Sequence, residues 1–247
     1  MNPDIVYVVK QGETNPALRY SLRSLSNLPH GRVWIAGYKP RWVTNVEHLP
    51  LRQTRTKYEN STANLLAAAT HDDVSEEFVY FNDDFFVIQP MASIPILHRG
   101  PVSHVVDYYL SKYRHRRNAG AYVDGMVRTA DILTGLGVDE PLSYEVHAPL
   151  PMTKTGFREA VRTASGHGIT ALHKRTLYGN LHGLGGEVGF PGADQEGDCK
   201  IFKDGMKWSP DWPFLSSGGA VLQNGEVGRF VRSLFPDPSP YEVPDAD

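Results

Sequence analysis

The segment that most constrains this chain is residues 78–90, in which two apolar runs flank a polar triplet. Residues 78–81 (FVYF) and 85–88 (FFVI) are rich in the aromatic and β-branched residues typical of buried strands. Two adjacent carboxylates beside such a strand are costly to bury unless they are paired or bound to a cation. The triplet at residues 82–84, Asn-Asp-Asp, therefore indicates either a site at the end of a strand or a polar hairpin turn between two strands.

The chain before this segment predicts alternating strands and helices. Residues 4–9 and 31–38 are short apolar runs that predict two strands. Between them, residues 17–25 carry leucines at helical spacing, and residues 60–69 predict a second, capped and alanine-rich helix. Strand, helix and strand in this order form a βαβ unit. We therefore expect an α/β fold with a central, mainly parallel sheet flanked by helices, and a ligand beyond the carboxyl ends of its strands.

Composition excludes several classes of protein. The chain has 247 residues, enough for one large domain, and its formal net charge of −3 gives no general attraction to nucleic acid. The single cysteine, Cys199, excludes an intrachain disulfide framework and a multi-cysteine zinc site. No segment has the length and apolar character of a signal peptide or a membrane span, so we expect a cytoplasmic protein.

Several blocks of the chain resemble the Stealth family of sugar-phosphate transferases. The resembling blocks, in chain order, are residues 18–24, 60–61, 78–86, 145–149 and 235–242. The fourth resembles the His-x-Pro block of that family, and the last resembles its closing Pro-Ser-aromatic-Glu segment. The chain also departs from the family. Residues 8–12 read VVKQG in place of a Trp-Val-Asp-Gly-like sequence, and residues 216–219 read SSGG where the family has acidic residues.

The resemblance implies a GT-A-like fold that binds a nucleotide sugar. It implies a single transferase domain over residues 1–247, with a Rossmann-like, nucleotide-sugar-binding half at 1–100 and an acceptor-side half and tail at 101–247. The expected donor is a UDP-sugar. The expected acceptor is a polysaccharide, a protein or a modified nucleic-acid base, with no membrane-spanning segment.

The acidic pair is the predicted metal site. Transfer from a nucleotide sugar requires the charge of the diphosphate to be neutralised, and a hard divalent cation held by carboxylates does this well. We therefore predict that Asp83 and Asp84 bind Mn²⁺ or Mg²⁺, and that Asn82 hydrogen-bonds the donor. Because successive side chains of an extended strand point to opposite faces, both carboxylates can reach one cation only across a turn. Otherwise one of them orients the sugar hydroxyls.

His147 is the second predicted site residue. It follows Glu145 at alternating spacing, so in an extended segment both side chains lie on one side. A histidine there is either a further metal ligand or a general base, and a single histidine is also often only a hydrogen-bonded packing residue. With the family resemblance we predict that Asp84 and His147 are catalytic, and that Asp83, Asp84 and His147 hold the metal.

Cationic and polar residues are the predicted contacts to the donor. The predicted donor-binding residues are Lys10, Arg19, Arg23, Asn60, Ser61, Asn82 and Arg116. Arg116 belongs to a basic and aromatic run at residues 108–117, which indicates a diphosphate contact, a nucleic-acid surface or a solvated helix face. Further possible phosphate partners are Lys154, Arg158, Lys174 and Arg175.

Together these patterns predict a metal-dependent transferase. It moves a sugar or a sugar-1-phosphate from a nucleotide-sugar donor to an acceptor hydroxyl, as a glycosyltransferase or a hexose-1-phosphate transferase. The alternative is a nucleic-acid- or carbohydrate-binding module whose acidic turn is structural.

Overall fold

The protein has an α/β fold, described here from a computed structural model. The structure describes residues 2–112, 120–195 and 197–243. A mainly parallel central sheet lies between layers of helices, which confirms the predicted fold class.

The central sheet has five strands in the order β3-β2-β1-β4-β7. Its strands are β1 (Asp4–Val9), β2 (Val33–Gly37), β3 (Glu47–Pro50), β4 (Glu77–Asn82) and β7 (Leu150–Thr153). The pairs β1–β2, β1–β4 and β2–β3 are parallel, whereas β7 is an antiparallel edge strand beside β4. All six residues of β1 are buried, as its continuous apolar run predicts for a strand covered on both faces.

Alternate side chains of β1 face two different hydrophobic layers. Ile5, Tyr7 and Val9 pack with Leu18 and Leu22 of α1. The opposite face belongs to a second hydrophobic cluster, to which four other helices contribute. The helices of these two layers are α1 (Pro16–Ser24), α2 (Lys57–Thr70), α4 (Gly120–Gly135), α5 (Lys154–Thr163) and α6 (Lys174–Leu181).

Helix α2 begins one turn earlier than the alanine-rich pattern predicts. Thr56 is its N-cap, and a capping box is present in which Thr56 and Glu59 satisfy each other's backbone N–H groups. Asn60, where we placed the start of the helix, lies inside the first turn, and its side chain bonds the backbone of Arg55.

A second sheet contains the strand that follows the acidic pair. It has the order β5-β10-β9, with β5 (Phe85–Val87), β9 (Lys200–Ile201) and β10 (Phe214–Ser217). Because β4 pairs with β1 and β7 while β5 pairs with β10, the hairpin alternative for residues 82–84 is wrong. Asp83 and Asp84 form a turn that carries the chain from one sheet to the other.

The remaining elements complete the two ends of the fold. They are the short parallel pair β6 (Leu97–His98) and β8 (Glu187–Val188), and the helices α3 (Val102–Lys112), α7 (Gly219–Asn224) and α8 (Glu226–Leu234). None of the helices in the described residues has the length and apolar composition needed to cross a bilayer.

The tail returns to α1 through one buried carboxylate. Glu242 accepts two hydrogen bonds from the Arg23 guanidinium, at 2.7 and 2.9 Å, and pairs with Arg19 at 3.2 Å. It also accepts the backbone N–H of Ser239 at 2.8 Å. The closing Pro-Ser-aromatic-Glu segment therefore fixes the end of the described chain to the first helix.

Candidate functional site

The order of strands creates a crevice between β1 and β4. From β1 the chain moves outward to β2 and β3, and then returns to the other side of β1 to form β4. Parallel sheets bind ligands at such reversals, beyond the carboxyl ends of the strands, because the loops there diverge. Lys10 follows the end of β1, and Asn82 and Asp83 lie at the end of β4.

A cavity of about 420 Å³ lies at this crevice, and we call it the small cavity. Its lining residues are Val8, Lys10, Gln11, Gln53, Arg55, Lys57, Asn60, Ser61, Asn64, Asn82 and Asp83. It brings together four of the predicted donor-binding residues, which are Lys10, Asn60, Ser61 and Asn82, with Asp83. All of its lining residues belong to the first hundred residues of the chain.

A second cavity, of about 530 Å³, adjoins it, and we call it the large cavity. Its lining residues are Lys57, Tyr58, Ser61, Tyr80, Asn82, Tyr109, Tyr122, Glu145, Val146, His147, Ala171, Leu172, His173, Lys174, Arg175 and Phe202. Because the two cavities share Lys57, Ser61 and Asn82, they form one cleft. Glu145 and His147 both line it, and so does the intervening Val146, because this segment is not a strand.

Asp83 is held at the edge of the small cavity by helix α1. Its Oδ2 accepts the side-chain amide of Asn15 at 2.8 Å, and Asn15 is the N-cap of α1. Burial, followed by the negative charge of Asp84, raises the pKa of Asp83 to about 6. An ionised Asp83 is therefore under electrostatic strain that a nearby cation would relieve.

Asp84 faces a lysine instead of the cleft. Its Oδ2 is ion-paired with the Lys200 ammonium, which comes from β9 of the second sheet. Asp84 is not among the residues that line either cavity. The two adjacent carboxylates thus have different surroundings, as expected for successive side chains that leave a strand through a turn.

His147 is oriented by a buried aspartate. Asp198 Oδ2 lies 2.9 Å from His147 Nδ1, and Asp198 Oδ1 accepts the backbone N–H of His147 at 2.9 Å. Burial alone would raise the pKa of Asp198, but the hydrogen bonds and charge of His147, together with Arg99, hold it well below its usual value. An ionised Asp198 accepts the Nδ1 proton, so the lone pair of neutral His147 is on Nε2.

The cleft carries more positive than negative charge. Five cationic side chains line it, and no described carboxylate lies within ion-pair distance of them: Lys10, Arg55, Lys57, Lys174 and Arg175. The acidic residues on its walls are Asp83 and Glu145. A concave surface with unpaired cations concentrates anionic ligands.

The structure separates some predicted site residues from the cleft. Arg19 and Arg23 are bound to Glu242 and line neither cavity, so their guanidinium groups are held by the tail of the chain and not by the cleft. Arg116 lies outside the described residues. Among the described residues, no group of three or more His, Cys, Asp or Glu side chains is placed to hold a metal ion, so Asp83, Asp84 and His147 do not form one ligand set.

Several residues of the site had no signal in the sequence. Asp198 is 51 residues from His147, and Lys200 is 116 residues from Asp84. Both follow a glycine-rich stretch without helical or strand periodicity, so no pattern predicts their partners. Lys57 lies in a basic run, residues 52–57. This run predicts positive charge but does not predict where in the fold that charge lies.

Comparisons with known proteins give similarities to solved structures but no family. No protein-family model and no curated protein matches the chain. Among solved structures, the chain is similar to the galactosyltransferase LgtC in complex with donor and acceptor sugar analogues. The TM-score is 0.48 and the sequence identity 8%, over 98% of this chain and 98% of that one.

Proposed function

We propose that the protein is a transferase that moves a sugar or a sugar-1-phosphate from a nucleotide-sugar donor to an acceptor hydroxyl. The observation that carries this proposal is the group of unpaired cations in a cleft at the carboxyl ends of β1 and β4. A phosphate-bearing ligand suits that charge, and a strand-order reversal is where nucleotides bind in parallel sheets.

The small cavity is the proposed donor site. Lys10, Arg55 and Lys57 supply positive charge for the diphosphate, and Asn60 and Asn82 supply amide groups for the ribose or the sugar. The resemblance to Stealth transferases favours a nucleotide sugar, with UDP-sugars as the first donors to test.

Asp83 and Asp84 suit a hard divalent cation in the type of their donor atoms. Mg²⁺ in phosphate-transferring sites is commonly held by one or two carboxylates, with substrate phosphates and water completing its coordination. The pKa of Asp83 is raised because burial and the charge of Asp84 outweigh the Asn15 hydrogen bond and the charges of Lys10 and Lys200. We propose that these two carboxylates hold Mg²⁺ or Mn²⁺, with Asp84 exchanging its contact with Lys200. The cation would supply positive charge beside the donor diphosphate.

His147 is the proposed general base. With its Nδ1 proton held by Asp198, its Nε2 is available to take the proton of an acceptor hydroxyl in the large cavity. The acceptor oxygen then attacks the donor. If it attacks the anomeric carbon, the carbon–oxygen bond breaks and a nucleoside diphosphate leaves. If it attacks the β-phosphorus, the phosphoanhydride bond breaks and a nucleoside monophosphate leaves, as the resemblance favours.

Donor binding tests this function directly. Titration with UDP-, GDP- and CMP-sugars in the presence of Mn²⁺ or Mg²⁺ should show binding of at least one donor. Replacing Lys10 with methionine should weaken that binding about tenfold or more, because one charge-assisted contact to phosphate is lost. Isothermal titration calorimetry gives both affinities.

Lys207→Met is the matched control, because Lys207 is exposed and lines neither cavity. Its donor affinity should equal that of the unmodified protein. No binding across the whole panel would contradict the proposal. Tight, salt-sensitive binding of DNA in the same preparation, without donor recognition, would favour the alternative of a nucleic-acid-binding module.

A further inference from the structure

We propose that the large cavity is the subsite of a hydroxylated acceptor that bears an anionic group, and that Lys174 and Arg175 hold that group. This inference rests on the proposed function, since it concerns the acceptor of the same reaction. It is carried by the charges and hydrogen bonds at the start of α6.

Two consecutive cations occupy an unfavourable place in the fold. Lys174 and Arg175 form the first turn of α6, where the helix dipole disfavours positive charge. Lys174 is 9% exposed and Arg175 is 4% exposed, and no described carboxylate pairs with either. A buried charge is costly without a partner, so an anion in the adjoining cavity would recover that cost.

The hydrogen bonds that hold these cations leave donors available. Lys174 Nζ donates to Ser61 Oγ at 3.0 Å, which uses one of its three protons. Arg175 donates from one terminal nitrogen to the carbonyl of Ala148 at 2.5 Å, while its buried Nε has no hydrogen-bond partner among the described residues. Both side chains are therefore positioned by the protein and still incompletely bonded.

Glu145 offsets part of this positive charge, but it does not bond the side-chain N–H groups of Lys174 and Arg175. Its Oε1 accepts the backbone N–H groups of Arg175 and Thr176, at 3.2 and 3.4 Å, and so caps α6. Burial would raise the pKa of Glu145, but His173 when it is protonated, Arg175 and Lys174 lower it, so the carboxylate is charged. With Lys57 at the mouth, the large cavity retains an excess of positive charge.

The same cavity has a place for a hydroxyl group. His173 is 2% exposed, and its Nε2 lies 2.9 Å from the carbonyl of Tyr122, so Nε2 carries the proton. Burial lowers the pKa of His173, and its neutral ring then has a lone pair on Nδ1. That atom has no partner among the described residues. It can accept a hydrogen bond from a hydroxyl.

The rim of the cavity presents an aromatic ring beside the proposed base. Phe202 is 57% exposed, and its ring centroid lies 6.3 Å from that of His147. An exposed phenylalanine at the mouth of a polar cavity offers an apolar surface for the carbon face of a sugar or polyol. An acceptor anchored by its anion at Lys174 would thus lie across the cavity that His147 lines.

The test separates the acceptor anion from the donor phosphates. The probes are inorganic phosphate, glucose 6-phosphate, glucuronate and glucose, titrated into the intact protein and followed by NMR or calorimetry. We expect the anionic probes to bind and glucose to bind at least about tenfold more weakly. Lys174→Met should weaken anion binding about tenfold, and Arg175→Lys should weaken it while keeping the charge. Lys207→Met should leave it unchanged.

The other possible results decide separately on this inference and on the proposed function. Equal binding of glucose and glucose 6-phosphate, no binding of any anion, or loss of anion binding in Lys10→Met but not in Lys174→Met would overturn the inference. If Lys174→Met abolishes nucleotide-sugar binding itself, the large cavity holds the donor and the inference is also overturned. The predicted anion pattern without any nucleotide-sugar binding would support this subsite and reject the proposed function. Donor binding that depends on Lys10, without anion binding, would support the proposed function and overturn the inference.

Discussion

Replacing Asp198 with asparagine should lower the turnover number about a thousandfold, with donor affinity nearly unchanged. The carboxylate holds the proton of His147 on Nδ1, through a 2.9 Å contact, and leaves the lone pair on Nε2. An asparagine amide at that position can donate to Nδ1, which favours the tautomer with its proton on Nε2 and removes the base. The corresponding change in a serine protease triad has an effect of about 10⁴.

Three measurements identify the cause of that loss. Steady-state kinetics with a saturating donor gives the turnover number, calorimetry gives donor affinity, and NMR of the ring nitrogens shows which tautomer His147 adopts. In the unmodified protein the proton should be on Nδ1, and in Asp198→Asn it should move to Nε2.

Cys199→Ala is the matched control for this substitution. Cys199 is adjacent to Asp198, buried, and donates its thiol to the carbonyl of His147 at 3.0 Å. Its replacement removes a packing contact and a weak hydrogen bond but leaves the Nδ1 contact intact. Turnover should therefore fall by less than about tenfold. If Asp198→Asn reduces only the free energy of unfolding and leaves turnover and the His147 tautomer unchanged, Asp198 is a structural residue and the proposed base is wrong.

Local patterns in the sequence predict strands β1, β2 and β4 of the central sheet, but not its edge strands β3 and β7 or the partners of the site residues. The apolar run of β1 and the leucine spacing of α1 are local properties, so they specify their own elements. The position of Asp83 follows as well, because a strand that ends in polar residues at a strand-order reversal must deliver them to the crevice. Lys10 and Asn82, which follow or end these strands, line one cavity with Asp83.

The contacts that decide chemistry are long-range, and local patterns carry no information about them. Arg19 and Arg23 lie on the polar face of α1, where solvent, a phosphate or a carboxylate are equally compatible with helical spacing. Their partner Glu242 is 219 residues from Arg23. His147 has the same limitation, because the loop that carries Asp198 has no regular pattern that would place it. The sequence shows the charge of such residues, whereas the distance from one of them to its partner is known only from the three-dimensional structure.

Replacing Asp83 with asparagine should stabilise the protein at neutral pH while it abolishes cation-dependent donor binding. The pKa of Asp83 is raised from 3.8 to about 6 in the folded protein, first by burial and then by Asp84. The folded state therefore binds this proton more tightly than the unfolded state. As pH rises from about 4 to about 6, the unmodified protein loses stability, and the loss is complete above that range. A shift of this size corresponds to about 2–3 kcal/mol.

Asparagine keeps an oxygen for the amide of Asn15 but carries no charge, so the Asp83→Asn variant does not lose this stability as the pH rises. Urea unfolding in the presence of a chelator should give equal stability for both proteins at pH 4, and a gain of about 2 kcal/mol for the variant at pH 7.5. Asp72→Asn, at an exposed position outside the cleft, is the control and should change stability by less than about 0.5 kcal/mol at both pH values.

Addition of a divalent cation should make the unmodified protein more stable than the Asp83→Asn variant. Mn²⁺ or Mg²⁺ bound between Asp83 and Asp84 would stabilise the unmodified protein increasingly as its concentration exceeds the dissociation constant, and would leave the Asp83→Asn variant almost unchanged. A variant that gains nothing at pH 7.5 would show that the ionised Asp83 is already compensated within the protein. The carboxylate pair would then have no need of a cation, and the proposal that it binds one would lose its physical basis.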